Sequence, residues 1–179
     1  MNKKLGNRKI GQNLSSETLF HLTWKFDNLK SILTNGFQAG YIYEKLPGTG
    51  RRLAYFTKTI CFCDIPLGVI KEHINWYGEY GIGINRPKAR ENGLSPVLYL
   101  HSKSPTFPRG SSSKSIEWFD QFDFTRCLKQ VRGKQIFFKD NMDEPYWKWK
   151  TFYNETEWRY FPSDQKESKT NLIKYEKEE

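Results

Sequence analysis

Apolar and polar residues alternate along several segments of the chain, and this alternation predicts β-strands. The two strongest strand patterns run from Thr18 to Trp24 and from Ala54 to Phe62. Shorter alternating segments predict strands at Tyr80 to Asn85, Pro96 to His101 and Gln135 to Phe138. Strands therefore supply much of the predicted regular structure.

Three helices are predicted between these strands. The first has four apolar residues on one face before Gly36 ends it, namely Phe26, Leu29, Ile32 and Leu33. Asp64 suits the capping position of a second helix that extends to Trp76, and residues 115–128 have the spacing of a third. Strands and helices do not alternate strictly, so we expect an α+β fold with split or mostly antiparallel sheets.

The length of 179 residues fits a single domain spanning residues 1–179, with a core over about 18–162. Residues 1–16 are polar and basic, and residues 163–179 are rich in Lys, Glu and Ser, so we expect both ends to be loosely held. Aromatic residues make up 16% of the chain, which predicts a core that relies on Phe, Tyr and Trp.

The chain is basic, with a net charge of +9, and this charge favours a polyanionic partner such as nucleic acid. One stretch combines four cations with no acidic residue, and it contains Arg126, Lys129, Arg132 and Lys134. Many basic proteins bind no nucleic acid, so a protein partner stays open.

The three cysteines, together with the lack of a secretory leader or a membrane-spanning apolar run, predict a reduced cytoplasmic protein without membrane contact. Cys61 and Cys63, with His73 and Cys127, have the ligand types of a zinc site. Thiols in an apolar strand pack in a core at least as naturally, so no metal is expected.

The segment from Asn154 to Phe161 places charge within an aromatic run. In a β-strand, Glu155, Glu157 and Arg159 would share one face. Such a face is either the solvated side of an edge strand or the wall of a cleft in which one carboxylate stabilises positive charge.

Three motifs in order resemble the His–Tyr–Glu branch of the ADP-ribosyltransferase superfamily, including its DarT-type DNA-modifying members. They are His21-Leu22-Thr23, the segment from Phe62-Cys63-Asp64 to Tyr77, and Glu155-Thr156-Glu157. The resemblance implies a split β-sheet core with flanking helices and NAD as a substrate.

A second resemblance covers about residues 18–162 and is to the AbiGi family of abortive phage-resistance proteins. It is carried by the segments Ile60 to Leu67, Tyr77 to Ile84, Pro96 to Tyr99 and Glu155 to Tyr160. This family is described as the antitoxin half of a toxin–antitoxin pair, which implies a cognate toxin as partner.

The transferase resemblance assigns roles to individual residues. Glu157 would stabilise the oxocarbenium-like state of the ribose, and Glu155 would orient or deprotonate the acceptor. Cofactor-binding positions would be His21 and Thr23 at the ribose, Tyr77 or alternatively Tyr80 on the nicotinamide ring, and Phe62. Supporting roles fall to Arg159 for the geometry of the carboxylates and to Arg51 and Arg52, in a glycine-containing loop, for the pyrophosphate.

These observations predict an NAD-dependent ADP-ribosyltransferase of phage defence or of a toxin–antitoxin system, with nucleic acid as the first choice of acceptor. The alternative is a non-catalytic antitoxin or interaction module that retains the transferase fold and binds a toxin or nucleic acid.

Overall fold

The structure, a computed structural model, describes residues 17–45, 53–101, 103–104, 126–137, 146–162 and 173–174. The strands are β1 (Thr18–Thr23), β2 (Gly40–Lys45), β3 (Leu53–Cys63), β4 (Tyr80–Asn85), β5 (Ser95–Pro96), β6 (Leu98–Leu100), β7 (Leu128–Gln130), β8 (Arg132–Phe137), β9 (Tyr146–Thr151), β10 (Glu157–Tyr160) and β11 (Ile173–Lys174). The helices are α1 (Phe26–Asn35), α2 (Lys71–Tyr77) and α3 (Arg86–Glu91), with short 3₁₀ turns at Leu67–Val69 and Phe152–Glu155. This is an α+β architecture in which strands predominate.

The long strand β3 organises the main sheet. Its second half pairs with β10, and its last residue, Cys63, pairs with Phe20 of β1, giving the order β4-β1-β3-β10-β5. Its first half pairs with β2 and with β11. All these pairings are antiparallel, so β10 lies inside the sheet between β3 and β5.

Two smaller sheets complete the described part of the chain. Strands β6 and β7 pair in parallel, and β8 and β9 form an antiparallel pair that we call the β8–β9 ribbon. The 3₁₀ turn Phe152–Glu155 directly follows the ribbon and leads into β10. The ribbon therefore adjoins the segment that carries the predicted acidic residues.

The apolar core lies against β1 and β3. One cluster consists of buried Leu19, Ile60, Phe62, Ala89 and Leu94, with Trp158 and Tyr160 packed against it. A second cluster contains Cys63, Ile65 and Ile70. Together they fix the positions of β3 and β10, whose polar side chains build the site described below.

Gly78 fixes the end of α2 against β1. It has a φ of +105°, and a Cβ atom there would lie 2.2 Å from the carbonyl carbon of Thr23. Only glycine suits this conformation and this close approach. Because Tyr77 is the last residue of α2, this contact also sets the position of its side chain.

Several predicted elements are confirmed, and others are corrected. The strands β1, β3 and β4 and the helix α1 are where the apolar pattern placed them. The predicted strand at Pro96 to His101 is two short strands that flank Val97, because β5 pairs with β10 whereas β6 pairs with β7. Of the helix predicted over 115–128, residues 115–125 lie outside the described residues, and Leu128 is in a strand.

Asp64 does not cap a helix, contrary to the prediction. Its Oδ2 atom accepts a hydrogen bond from the Arg86 guanidinium at 2.9 Å, at the start of α3. The helix α2 begins seven residues later, after a 3₁₀ turn, and has no side-chain cap. Within the described residues, no helix has the length and apolar character needed to cross a membrane.

Candidate functional site

Six charged side chains from five separate segments meet beneath the sheet. Three are carboxylates and three are cations: Glu44 on β2, Lys129 on β7, Lys150 on β9, Glu155 in the 3₁₀ turn, and Glu157 and Arg159 on β10. Their side chains are at most 12% exposed. We refer to these six residues as the charge cluster. Its formal net charge is zero.

Lys129 lies at the centre of the charge cluster. Its Nζ atom is 2.6 Å from a carboxylate oxygen of Glu155 and 2.6 Å from one of Glu157, and it is 3.5 Å from Glu44. Burial by itself lowers the pKa of this ammonium, but the three carboxylates outweigh burial and raise the pKa well above its usual value. Lys129 therefore stays protonated at any physiological pH.

Arg159 is fully buried and holds the other side of Glu157. Its Nε atom donates to Glu157 at 2.7 Å, and its Nη2 atom donates to Glu44 at 2.5 Å. Its Nη1 atom donates to the carbonyl of Arg126 at 2.7 Å and to the hydroxyl of Tyr55 at 3.1 Å. Every part of the guanidinium is thus used, which fits its complete removal from water.

Glu157 is held as an anion despite its burial. Burial raises the pKa of a carboxyl group, but Lys129 and Arg159 together hold the pKa of Glu157 well below its usual range. Both of its carboxylate oxygens accept hydrogen bonds from these two cations. The carboxylate is therefore ionised and already neutralised.

Glu155 is bound in the same manner from a different direction. One of its oxygens accepts from Lys129, and the other accepts from the Tyr77 hydroxyl and lies 2.5 Å from Lys150 Nζ. Tyr77 in turn accepts from Lys150 at 2.8 Å. Burial lowers the pKa of Lys150 to about 8 even though Glu155 favours its charged form.

The strand geometry predicted for these acids is wrong at one position. Glu155 is the last residue of the 3₁₀ turn, Thr156 has a left-handed φ of +42°, and β10 begins only at Glu157. The turn still brings both carboxylates to Lys129. The alternative of a solvated edge strand is also wrong, because β10 is internal to the sheet and Glu157 and Arg159 are buried.

A cavity of about 240 Å³ adjoins the charge cluster. Five of the predicted site residues line it, namely His21, Phe62, Tyr77, Glu155 and Glu157. Lys129 and Glu44 also line it. The His21 Nδ1 atom lies 2.8 Å from the Cys61 carbonyl, which can only accept, so Nδ1 carries a proton.

Of the other predicted site residues, Arg159 belongs to the charge cluster, and the remaining ones that the structure describes do not line this cavity. Thr23 is at a separate cavity beside α1, where its hydroxyl accepts from Asn28 at 3.0 Å. Tyr80 packs edge-on against Phe26 and does not line the cavity beside the charge cluster. Arg51 and Arg52 lie outside the described residues. Among the described residues, no group of three His, Cys, Asp or Glu side chains is arranged to hold a metal ion.

Sequence reasoning missed half of the charge cluster. The sequence marks Lys129 only as part of a basic stretch, and Glu44 and Lys150 come from segments with no predicted strand or site. Because the exposed Lys148 also lies between aromatic residues, no local pattern singles out Lys150. Its Nζ atom lies 4.4 Å from the centre of the Trp76 ring and 4.0 Å from that of the Tyr77 ring.

Comparison with protein families decides the relationship of this chain. Residues 51–179, more than two thirds of the chain, match the family described as abortive phage resistance protein AbiGi, antitoxin. The chain belongs to the AbiGi family. The matched region contains five members of the charge cluster, whereas Glu44 and the cavity residue His21 precede it.

A similar AbiGi protein is the abortive phage resistance protein AbiGi of Lactococcus lactis subsp. cremoris, which is 26% identical over 60% of this chain. The alignment covers 52% of that protein, so the chain spans about half the length of the AbiGi relative it matches. No solved structure matches this AbiGi member.

The Tyr77 hydroxyl provides a direct test of this AbiGi site. We expect Tyr77→Phe to lower the free energy of unfolding by about 1–3 kcal/mol, because buried Glu155 and Lys150 each lose a hydrogen-bond partner. Urea denaturation of the full chain measures this loss. The control is Tyr80→Phe, which removes a hydroxyl that is not in the charge cluster. Equal losses in the two variants would contradict the role of Tyr77.

Proposed function

We propose that this protein is a non-catalytic antitoxin of a phage-defence toxin–antitoxin pair, built on an ADP-ribosyltransferase-like fold. The observation that carries the proposal is the position of Lys129. Its ammonium lines the same cavity as Glu157 and lies 2.6 Å from the carboxylates of both Glu155 and Glu157. The description of the matched family as an antitoxin points the same way.

ADP-ribosyl transfer requires an environment that favours positive charge. Breaking the bond between nicotinamide and ribose develops an oxocarbenium-like cation, which a nearby carboxylate stabilises. Here each carboxylate is already neutralised by buried cations, and the charge cluster has no net negative charge. Lys129 would moreover repel a cation that forms in the cavity. In this proposal the buried charges stabilise the fold and do not promote ADP-ribosyl transfer.

Transferase activity remains the second candidate, and one observation favours it. His21, Tyr77 and Glu157, the three residues that the transferase resemblance singled out, line one cavity although they are far apart in the sequence. In this alternative the protein would cleave NAD and transfer ADP-ribose, with nucleic acid as the first candidate for the acceptor.

Incubation of the purified full chain with NAD separates the two candidates. We expect no release of nicotinamide from the wild type and no transfer of label to DNA, RNA or protein. His21→Ala is the appropriate variant, because it alters the cavity without removing a charge from the charge cluster. Nicotinamide release by the wild type that is lost in His21→Ala would overturn the antitoxin proposal in favour of the transferase.

Growth rescue tests the antitoxin role itself. The candidate toxin is the protein encoded beside this chain in its own genome, since the two halves of such a pair are made together. We expect that protein to halt growth alone, and we expect wild type and His21→Ala to restore growth equally. A neighbouring protein that is harmless, or whose toxicity this chain leaves unchanged, would contradict the proposal.

A further inference from the structure

The β8–β9 ribbon exposes large aromatic side chains on one face. Trp147 and Trp149 are 59% and 58% exposed, although tryptophan is normally well buried. They are two residues apart in β9, so their side chains leave the same face of the strand about 7 Å apart. The two indole rings therefore form adjacent flat surfaces that are open to solvent.

Positive charge accompanies these rings. The Arg132 guanidinium lies 5.2 Å from the centre of the Trp149 ring, and the Lys134 ammonium lies 5.7 Å from it. Lys134 is directly opposite Trp149 in the ribbon, and both cations are exposed. In the described part of the chain neither cation takes part in an ion pair, in contrast to the neutralised lysines of the charge cluster.

The ribbon strands themselves contain no acidic residue. Residues 132–137 and 146–151 carry four cations, of which Lys150 is neutralised in the charge cluster, while the acidic residues of the intervening sequence lie outside the described residues. An open cavity of about 560 Å³ adjoins Trp149 and is lined also by Arg132, Lys134 and His101. This face thus offers aromatic surfaces, positive charge that no described residue neutralises, and space beside them.

We propose that the β8–β9 ribbon binds single-stranded nucleic acid, with bases stacked on Trp147 and Trp149 and the phosphate backbone against Arg132 and Lys134. Aromatic rings next to cations are the recurring arrangement for unpaired strands, because every base has a face that can stack. A duplex keeps its bases stacked internally and offers no such face. The proposal is independent of the antitoxin assignment and of any reaction in the cavity.

Fluorescence anisotropy with labelled oligonucleotides of about 20 nucleotides tests the proposal on the full chain. We expect single-stranded DNA, single-stranded RNA or both to bind at least tenfold more tightly than a duplex of the same sequence. A preference for RNA or for DNA would identify the source of the natural ligand. Failure to bind either single strand at physiological salt, or tighter binding of the duplex, would overturn the proposal.

Substitutions then locate the binding surface. We expect Trp147→Ala and Trp149→Ala each to weaken binding by about tenfold, which is the loss of one stacked base. The matched control is Tyr41→Ala, which removes an aromatic side chain that is 75% exposed on β2 and does not line the cavity beside Trp149. Tryptophan variants that bind as well as the Tyr41→Ala control would contradict the proposed surface.

The salt dependence of binding tests the role of the two cations. We expect the double variant Arg132→Gln and Lys134→Gln to reduce the slope of log K against log salt by about 1.4, since each phosphate contact to a single strand contributes about 0.7. The control with the same change in net charge is Lys30→Gln with Lys71→Gln, on α1 and α2. Equal slopes in the two double variants would count against the proposed phosphate contacts.

A further test uses the wild type alone, so its result does not depend on whether the variants fold. Photocrosslinking with an oligonucleotide that carries a reactive base is expected to label the peptide of residues 146–151. Labelling confined to another part of the chain would overturn the proposal. Growth rescue by ribbon variants that no longer bind nucleic acid would separate this activity from the antitoxin function.

Discussion

Replacement of Lys129 by methionine is expected to lower the free energy of unfolding by about 3–5 kcal/mol. The ammonium lies within 3.5 Å of three carboxylates, each of which is at most 12% exposed. Methionine fills the space of the stem but leaves buried negative charge without compensation. Breaking one side of a buried ion pair is costly for this reason.

Thermal and urea denaturation measure the effect, and a lowering of the melting temperature by about 10 °C or more is expected. Lys150→Met provides a closely matched comparison, since it also removes a buried lysine that contacts Glu155. Burial lowers the pKa of Lys150, so that its surroundings stabilise the charged form less than those of Lys129 do. In Lys150→Met, moreover, Glu155 keeps Lys129 as a partner. We expect the loss in Lys150→Met to be less than half of that in Lys129→Met.

Lys30→Met gives the baseline for an exposed lysine, which we expect to lie within about 0.5 kcal/mol of wild type. A Lys129→Met variant as stable as Lys30→Met would show that the charge cluster contributes nothing to folding. It would also remove the main argument for the proposed function.

Acidification is expected to destabilise the protein in two separate steps. The first step comes from His73, whose ring packs against Tyr77 at a tilt of 45° with ring centres 4.7 Å apart. Burial, assisted by Lys150 and Lys129 and opposed by Glu155, lowers the pKa of His73 from 6.5 to about 4. The unfolded chain therefore binds a proton between pH 6.5 and 4 that the folded chain does not bind. Stability falls with falling pH in this window, by at most about 1.4 kcal/mol per pH unit.

The second step comes from Glu155 and Glu157. The cations hold the pKa values of both carboxyls below the ordinary value of 4.5. A carboxyl with a lowered pKa contributes stability that is complete above the ordinary value and is lost as pH falls towards the folded value. The loss due to this pair therefore begins only below about pH 4.5.

Denaturation of the wild type and His73→Gln from pH 7 to pH 3 separates the steps. We expect His73→Gln to remove the loss between pH 6.5 and 4.5 and to leave the loss at lower pH unchanged. The control is His101→Gln, which alters an exposed histidine and should reproduce the wild-type curve. Parallel curves for all three proteins would exclude His73 as the origin of the first step.

The sequence predicts those elements of the fold that are determined by residues close together in the chain. Strand β1 and helix α1 follow from local alternation and from Gly36, whose φ of +79° ends the helix. Strand β2 escaped prediction because Tyr41 and Tyr43 are both exposed, so its inner and outer faces are not distinguished by polarity. Pairing with β3 rather than its own pattern defines it.

The charge cluster likewise contains contacts that follow from local sequence and contacts that depend on long-range topology. Glu157 and Arg159 are two residues apart, and alternation was enough to place them together. Glu44 is 115 residues away from Arg159 and reaches it only because β2 and β10 both pair with β3. The left-handed Thr156 also has no local signature, since a β-branched residue rarely adopts this conformation. Long-range topology and backbone strain are therefore what the sequence did not reveal.

The wide sequence separation of the charge cluster has a consequence for synthesis on the ribosome. Glu44 and Tyr55 are made early, but their partner Arg159 is among the last residues of the described core to be added. A nascent chain that ends before Arg159 would have to bury Glu44 and the Tyr55 hydroxyl without the guanidinium that binds both, which is unfavourable. We therefore expect the charge cluster to assemble only after Arg159 has been synthesised.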